Sequence, residues 1–305
     1  MREHFFELGA EVSAAFARGQ PVVALESTLV AHGLPRPRNH EVALELEELL
    51  RDRGVVPATV AIVDGVTRIG LTTYELQRIA FDTDVVKLSV RDLPMAIGLG
   101  RTGATTVAAT SHLANLAGVR IFATGGLGGV HREASQSWDE SADLATLSHT
   151  PITVVCAGAK SILDIPATLE RLESYNVGVV GYGTSRFPGF YVTDSGYNID
   201  WAVHSAADVA AVMRTQRVLG AATGALVVAN PLPEAEQLEP HLHDTALDDS
   251  LAAAKAAGVR GKEVTPFLLD HFQKATGGES LEANIRAVRN NVRLAATIAH
   301  AWHDR

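Results

Sequence analysis

Short, unbroken apolar runs separated by helix-like stretches constrain this chain more than any other feature. PVVAL (21–25), PATVAIV (57–63), RIGL (68–71), VVKLSV (85–90), VRIFAT (119–124), ITVVCA (152–157), VGVVGY (177–182) and ALVVAN (225–230) read as strands. They are continuous rather than alternating, the pattern of strands buried on both faces. Between them a helix is predicted from Asn39, as its cap, to Arg53, with Gly54 at its end; an Ala/Thr-rich one over 103–117 is stopped by Gly118. Others are predicted near 141–148, 160–174, 205–219 and 244–257. Strands alternating with helices predict an α/β domain with helices on both faces of a largely parallel sheet. No Pro/Gly/Ser-rich linker and no repeat of fixed period divides the 305 residues. One domain over 1–305 is therefore expected, with an N-terminal helix in 1–20 and a C-terminal helix over 280–305 packed on it. In the last segment Leu281, Ile285, Val288, Val292, Ala295 and Ile298 fall on one stripe, which reads as core packing ahead of an oligomer contact.

Composition then excludes whole classes. Hydrophobic residues are 47% and charged residues 20%, too apolar for a disordered chain. A single cysteine excludes a disulfide framework and a cysteine-ligated zinc or iron–sulfur centre. The net charge of −9 argues against a nucleic-acid polymer as partner, though a small anion answers to local charge. No apolar run approaches the ~18 residues of a membrane span. The opening MREHFFELGAEVSAAF carries early acids and does not read as a secretory signal, so the cytoplasm is expected.

In open α/β sheets ligands bind beyond the carboxyl ends of strands. The residues just after the apolar runs are Glu26-Ser27-Thr28, Lys87, 124–132, Lys160 and Asn230-Pro231. Four glycines in ATGGLGGVHR (123–132) make either an anion-binding nest or a tight structural turn. The loop matches neither a dinucleotide fingerprint nor a Walker A motif. Beside it, His131 reads as an acid–base group or as a hydrogen-bonded structural histidine. Lys160, in VVCAGAKSILD (154–164), is expected near a helix N-terminus, where dipole and desolvation both favour the neutral, nucleophilic amine. An ordinary lysine reaching solvent is the alternative. Glu26 is either a general acid/base or a loop organiser. Asp139 and Asp143 share a helix face as two oxygen ligands for Mg²⁺ or Mn²⁺, or as ordinary acids at a helix start. Lys87 and Arg91 suit a phosphate or a surface ion pair. Cys156 reads as core.

The order of blocks says more than any block alone. VALEST (23–28), VAHGLPRPRN (30–39), VPATVAIVDG (56–65), KLSVRDLP (87–94), GATTVAAT (103–110), FATGGLGGVHR (122–132), DESAD (139–143), VCAGAKSILD (155–164), GYGTSRFPGFY (181–191), LVVANPLP (226–233) and GKEVTPFLL (261–269) occur in this sequence. The arrangement resembles the pseudouridine-5′-phosphate glycosidase family, also called indigoidine-synthase-A-like, over roughly residues 20–300. The resemblance implies a three-layer α/β/α fold around a mixed, largely parallel sheet. It further implies a homotrimer with one Mn²⁺ per subunit, reversibly cleaving pseudouridine 5′-phosphate to uracil and ribose 5-phosphate. By motif match Lys160 becomes the Schiff-base lysine and Glu26 the proton donor. Lys87, Val107, Ser141, Ala142 and Asp143 become substrate contacts, with His131 and Asn284 as further site members. Asp139 becomes the metal anchor, largely through waters. Glu140 is an extra carboxylate where the family often has a neutral residue, harmless to the metal if it points outward. The alternatives are a same-fold enzyme acting on another C-nucleotide and a non-catalytic sugar-phosphate binding protein. A carbohydrate kinase is disfavoured, because no Walker A motif is present and the GGLGG loop has no Asp.

Overall fold

The computed structural model describes residues 6–221, 223–259 and 264–304. Among them run eleven strands: β1 (Phe6–Leu8), β2 (Val22–Leu25), β3 (Val56–Val63), β4 (Val66–Ile69), β5 (Val86–Leu88), β6 (Gly103–Thr105), β7 (Ile121–Ala123), β8 (Thr153–Cys156), β9 (Gly178–Tyr182), β10 (Ala202–Val203) and β11 (Leu226–Ala229). They form one sheet in the order β1-β4-β3-β2-β7-β8-β11-β9-β10, with β6 beside β3 and β5 beside β6. The stretch from β3 through β2, β7, β8, β11 and β9 to β10 is parallel. Only β3–β4 and β3–β6 are antiparallel, so the sheet is mixed and largely parallel, as expected. β3 joins the two parts: Val56–Thr59 pair with β2, and Val60–Val63 with β4. All eight of its residues are buried, which is why its sequence does not alternate.

The strands feed two apolar layers. Phe122, Val154 and Ile62 pack on one side with Val12, Leu113, Leu144 and Leu147. Ile121, Val155 and Val228 pack on the other with Leu46, Val209, Val288 and Val292. The helix Glu279–His303 belongs to this second layer, where Ile285, Val292, Ala295 and Ile298 are fully covered. The helix Ala10–Arg18 lies in the first layer, so the two terminal helices sit on opposite faces. A short strand, β1, precedes the N-terminal helix and pairs with β4. Residues 1–5 and 305, at the outer ends of the two terminal segments, lie outside the described residues, as do 261–263 of the GKEVTPFLL block.

Three local expectations are corrected. Asn39 does not cap its helix, which runs Arg38–Arg51 with Pro37 at the N-cap. Its side chain is buried and donates to the carbonyls of Val30 and Ala80, each at 2.8 Å. The Ala/Thr-rich stretch 103–117 is not all helix: Gly103–Thr105 are β6, and the helix runs Val107–Ala117 before Gly118 (φ 92°). Helix propensity is weak enough for a paired strand edge to override it. Finally, the helix after Lys160 begins only at Ile165, capped by Asp164. Lys160 therefore lies in a loop, and the helix dipole does not act on it at close range.

Candidate active site

β2 starts the parallel sheet, with β3 on one side and β7 on the other. The chain order reverses there, which opens a crevice beyond the carboxyl ends of the strands. Glu26 is the first residue past β2, at the mouth of that crevice. A cavity of about 560 Å³ fills the crevice, and its walls include Glu26, Lys87, Lys160 and Asn284.

Glu26 is half-buried, and its carboxyl accepts a hydrogen bond from the Thr124 hydroxyl at the end of β7. Burial pushes its pKa above the usual carboxylate range, against the pull of that hydrogen bond and of the Lys160 and Lys87 charges. A carboxyl group so placed keeps its proton to higher pH than a free one. Lys87, in β5, reaches open solvent at the cavity mouth, and crowding by protein atoms followed by the Lys160 charge holds its pKa down. Lys160 is fixed through its backbone: its N–H donates to the Leu127 carbonyl at 3.1 Å, and its carbonyl accepts from Leu163 N–H at 2.9 Å. The turn before it needs glycine. Gly158 has φ 84°, and a Cβ there would lie 2.2 Å from the Pro188 carbonyl oxygen.

The glycine loop is a structural turn over most of its length. Leu127 N–H donates to Gly158 O, Gly128 N–H to Asp143 Oδ2 at 2.8 Å, and Val130 N–H to Thr168 Oγ1. Side chains at the glycines would collide: a Cβ on Gly126 falls 2.5 Å from the Phe190 ring, and one on Gly129 falls 2.3 Å from Thr168 Oγ1. Only Gly125 and Gly126 reach the cavity wall. Asp143 is spent on the same scaffold. Its Oδ1 accepts from Ala108 N–H at 2.9 Å, tying the loop to the N-terminus of the helix that starts at Val107. Ser141 caps the helix Ala142–Leu147 by accepting from Asp143 N–H. Val107, Ser141, Ala142 and Asp143 thus organise the floor and are not among the cavity's lining residues.

His131 and Asp139 also stand outside that lining. His131 N–H donates to the Asp139 carbonyl, its Nδ1 is 4.0 Å from Asp139 Oδ2, and its Nε2 faces the Thr265 hydroxyl at 3.4 Å. Burial, with Lys160 and Lys87, lowers its pKa against the pull of Asp139. Among the described residues no three His, Cys, Asp or Glu side chains converge on a metal position. Asp139 offers a single carboxylate, so a divalent ion held there would have to keep most of its water. Glu140 does not compete, because its carboxylate pairs with Arg171.

Other residues complete the wall: Asn284 by motif match and Thr28 by its place after β2 were expected there, whereas His32, Phe190 and Tyr191 were not. Thr28 Oγ1 and Asn284 Oδ1 are buried polar atoms with no partner among the described residues. His32 lies on a π-helical turn, Leu29–Gly33, of the kind found at functional sites. Burial first, then Lys87 and Arg36, lower its pKa. Phe190 and Tyr191 close another side.

A strand-end crevice holding an amine and a carboxyl group whose pKa burial raises defines an enzyme of the open α/β class. Its family is equally plain: the indigoidine synthase A-like protein model matches residues 11–301, and the chain belongs to that family. It is 62% identical to the pseudouridine-5′-phosphate glycosidase of Frankia alni, over 97% of this chain and 81% of that one. It is 59% identical to the same-named protein of Streptomyces griseus, over 97% and 92%. Among solved structures it resembles the prealnumycin C-glycosynthase AlnA, crystallised with ribulose 5-phosphate (TM-score 0.91, 32% identity, 98% and 97% covered). An indigoidine synthase A-like protein of Thermotoga maritima superposes with TM-score 0.87 at 33% identity, covering 97% and 95%.

Proposed function

We propose that this chain reversibly cleaves the C–C glycosidic bond of pseudouridine 5′-phosphate, giving uracil and ribose 5-phosphate. The observation that carries the reading is the cavity shared by Lys160 and Glu26, a primary amine and a carboxyl group whose pKa burial raises. A carbon leaving group defeats the usual two-carboxylate glycosidase logic. An imine route does not share that difficulty. The Lys160 amine adds at C1′ as the ring C1′–O4′ bond breaks; O4′ takes its proton from Glu26, and the amine then gives one up to the resulting Glu26 carboxylate. Glu26, now protonated, delivers its proton to the uracil carbon. The C–C bond then breaks, its electrons restoring the uracil ring, as the nitrogen lone pair forms the C1′=N⁺ iminium. Water adds to that iminium and releases ribose 5-phosphate and free Lys160. Glu26 serves alternately as acid and base, a double role that a pKa raised by burial suits.

Lys87 is the contact for the 5′-phosphate in this reading, with Asn284 and His131 as further substrate or positioning groups. Ser141, Ala142, Asp143 and Val107 keep their place as neighbours of the substrate through the loop they organise. Asp139 would hold one Mn²⁺ per subunit, largely through water, and the ion would supply positive charge at that edge of the site. The reading extends to a cytoplasmic homotrimer, checked by a light-scattering mass near three times 32.3 kDa. No helix among the described residues is long and apolar enough to cross a membrane.

Trapping tests the chemistry. Borohydride with ribose 5-phosphate is expected to fix a sugar on Lys160, found by peptide mass mapping, and Lys160→Ala to lose activity by on the order of 10⁴-fold or more. Full activity in Lys160→Ala overturns the imine route. A second reading, synthesis of a different C-glycoside, is favoured by the likeness to a C-glycosynthase. Release of uracil by the purified chain separates the two.

A further inference from the structure

The backbone at Phe190 is strained. Its φ is +67°, a region that a bulky L residue rarely enters. Hydrogen bonds hold it there: Gly189 N–H to Val192 O at 3.0 Å, Phe190 N–H to Ala157 O at 3.0 Å, and Tyr191 N–H to Gly189 O at 2.8 Å. Such outliers persist only where the surroundings over-determine them, and they gather at functional sites. Here the reversal sets the Phe190 and Tyr191 rings edge-to-face, 4.5 Å apart, and turns both toward the cavity. Tyr191 is further stacked on Phe272 at 4.9 Å and 12°. Its side chain is therefore rigid. It is 5% exposed. Burial alone accounts for the raised pKa of its phenol, with no hydrogen bond and no charge contributing.

The position of this pair separates two parts of the cavity. Lys87 lies on β5, beyond β6 and β3, on one side of β2. Phe190 is anchored to Ala157 at the end of β8, on the other side. The cavity walls also include Pro266, Leu269 and Leu281, and from the same two helices the polar Asp270, Gln273 and Ser280. A sugar phosphate needs the lysines, whereas a flat heterocycle buries best against an aromatic face and needs its few polar atoms met one by one.

We infer that Tyr191 reads the base: its hydroxyl donates a hydrogen bond to a ring carbonyl of uracil, and Phe190 supplies the face against which the ring lies. This rests on the cleavage reading above. A neutral hydrogen bond of this kind is worth roughly 3- to 10-fold in affinity. Tyr191→Phe keeps the stack on Phe272 and removes only the oxygen. Calorimetric binding of uracil to enzyme whose Lys160 carries the borohydride-fixed sugar, which cannot turn over, is expected to weaken by that factor, with ribose 5-phosphate binding alone and the yield of that adduct unchanged within about twofold. Taking the ratio of the two affinities in one preparation cancels any inactive fraction. A ratio that does not move, or losses equal for both ligands, overturns the inference while leaving the cleavage reading intact. A wild-type chain that releases no uracil from pseudouridine 5′-phosphate overturns both.

Discussion

Asn284 and Asn291 lie seven residues apart on one face of the C-terminal helix, and they have opposite fates. Asn291 is completely buried and satisfied: its Nδ2 donates to the Thr124 carbonyl at 2.8 Å, and its Oδ1 accepts from Asn230 at 2.9 Å. Asn284 Oδ1 is equally shielded but has no partner among the described residues, and it stands 3.0 Å from where a Cβ on Gly125 would be. The same contrast recurs within three consecutive residues. Ser27 is fully buried and satisfied, donating to Val60 O at 2.6 Å and accepting from Thr105 N–H at 2.9 Å. On either side of it, burial pushes Glu26 away from its ionised form and Thr28 Oγ1 has no partner among the described residues. A buried polar atom without a partner costs free energy, and at Thr28 and Asn284, on the cavity wall beside fully paired neighbours, a bound substrate would offset that cost. On this wall the polar groups that close the strand ends hold the fold, and those left open face the cavity.

The largest effect that can break this division is at Glu26. Glu26→Gln keeps the shape and the Thr124 contact but cannot exchange a proton, so turnover is expected to fall by about 10² to 10⁴-fold with substrate binding kept. Wild-type cleavage should also decline as pH rises through the raised Glu26 pKa, and this limb should be missing from the residual activity of the variant. A loss under about tenfold would place Glu26 with the scaffold. Next in size is Lys87→Ala. A charge-assisted hydrogen bond contributes ~1.5 to 3 kcal/mol, so kcat/KM for pseudouridine 5′-phosphate is expected to drop roughly 10- to 150-fold, mostly in KM. Unphosphorylated pseudouridine should be nearly indifferent. Equal losses on the two substrates would remove the phosphate from Lys87.

The asparagines sharpen the comparison at a smaller scale. Asn291→Ala strands two carbonyls and the Asn230 amide, and a cost of about 1 to 3 kcal/mol in denaturant unfolding is expected. Asn284→Ala removes an atom that has no partner to lose, so stability should hold within about 0.5 kcal/mol while KM rises. Stability losses of equal size would show that the open amide is structural after all.

Much of this was legible in the residues. Continuous apolar runs located nearly every strand of the parallel sheet, and their ends pointed to Glu26, Lys87 and Lys160, which share one cavity. The failures have a common cause in partners distant along the chain. Gly103–Thr105 reads as helix by composition, but it pairs with β3 and β5. Asn39 reads as a cap, but Ala80 is one of its acceptors. The glycine loop reads equally as an anion nest, but Asp143 and Thr168 occupy its N–H groups. Lys160 was placed beside a helix start that lies five residues further on. Neither the strain at Phe190 nor the open atoms of Thr28 and Asn284 can be read from local spacing, because each depends on what packs against it.

The smallest expected effect concerns stability at Glu26, and its sign is opposite to that of a structural residue. Below the ordinary carboxyl value of 4.5 the group is protonated in both the folded and the unfolded chain, and burial penalises neither. As pH rises past that value the unfolded chain ionises first, since burial has raised the folded-state pKa. The native state therefore loses stability, relative to acid, as pH climbs through the raised value, and it carries a buried charge above it. Glu26→Gln removes that charge and retains an oxygen to accept from Thr124. Its midpoint of thermal unfolding is expected to lie above wild type at pH 7.5, by on the order of 1 °C, and to converge on wild type near pH 4.5. A variant destabilised at both pH values would mean that the Thr124 contact outweighs desolvation. Glu26 would then belong with Ser27 and Asn291 among the groups that hold the strand ends together.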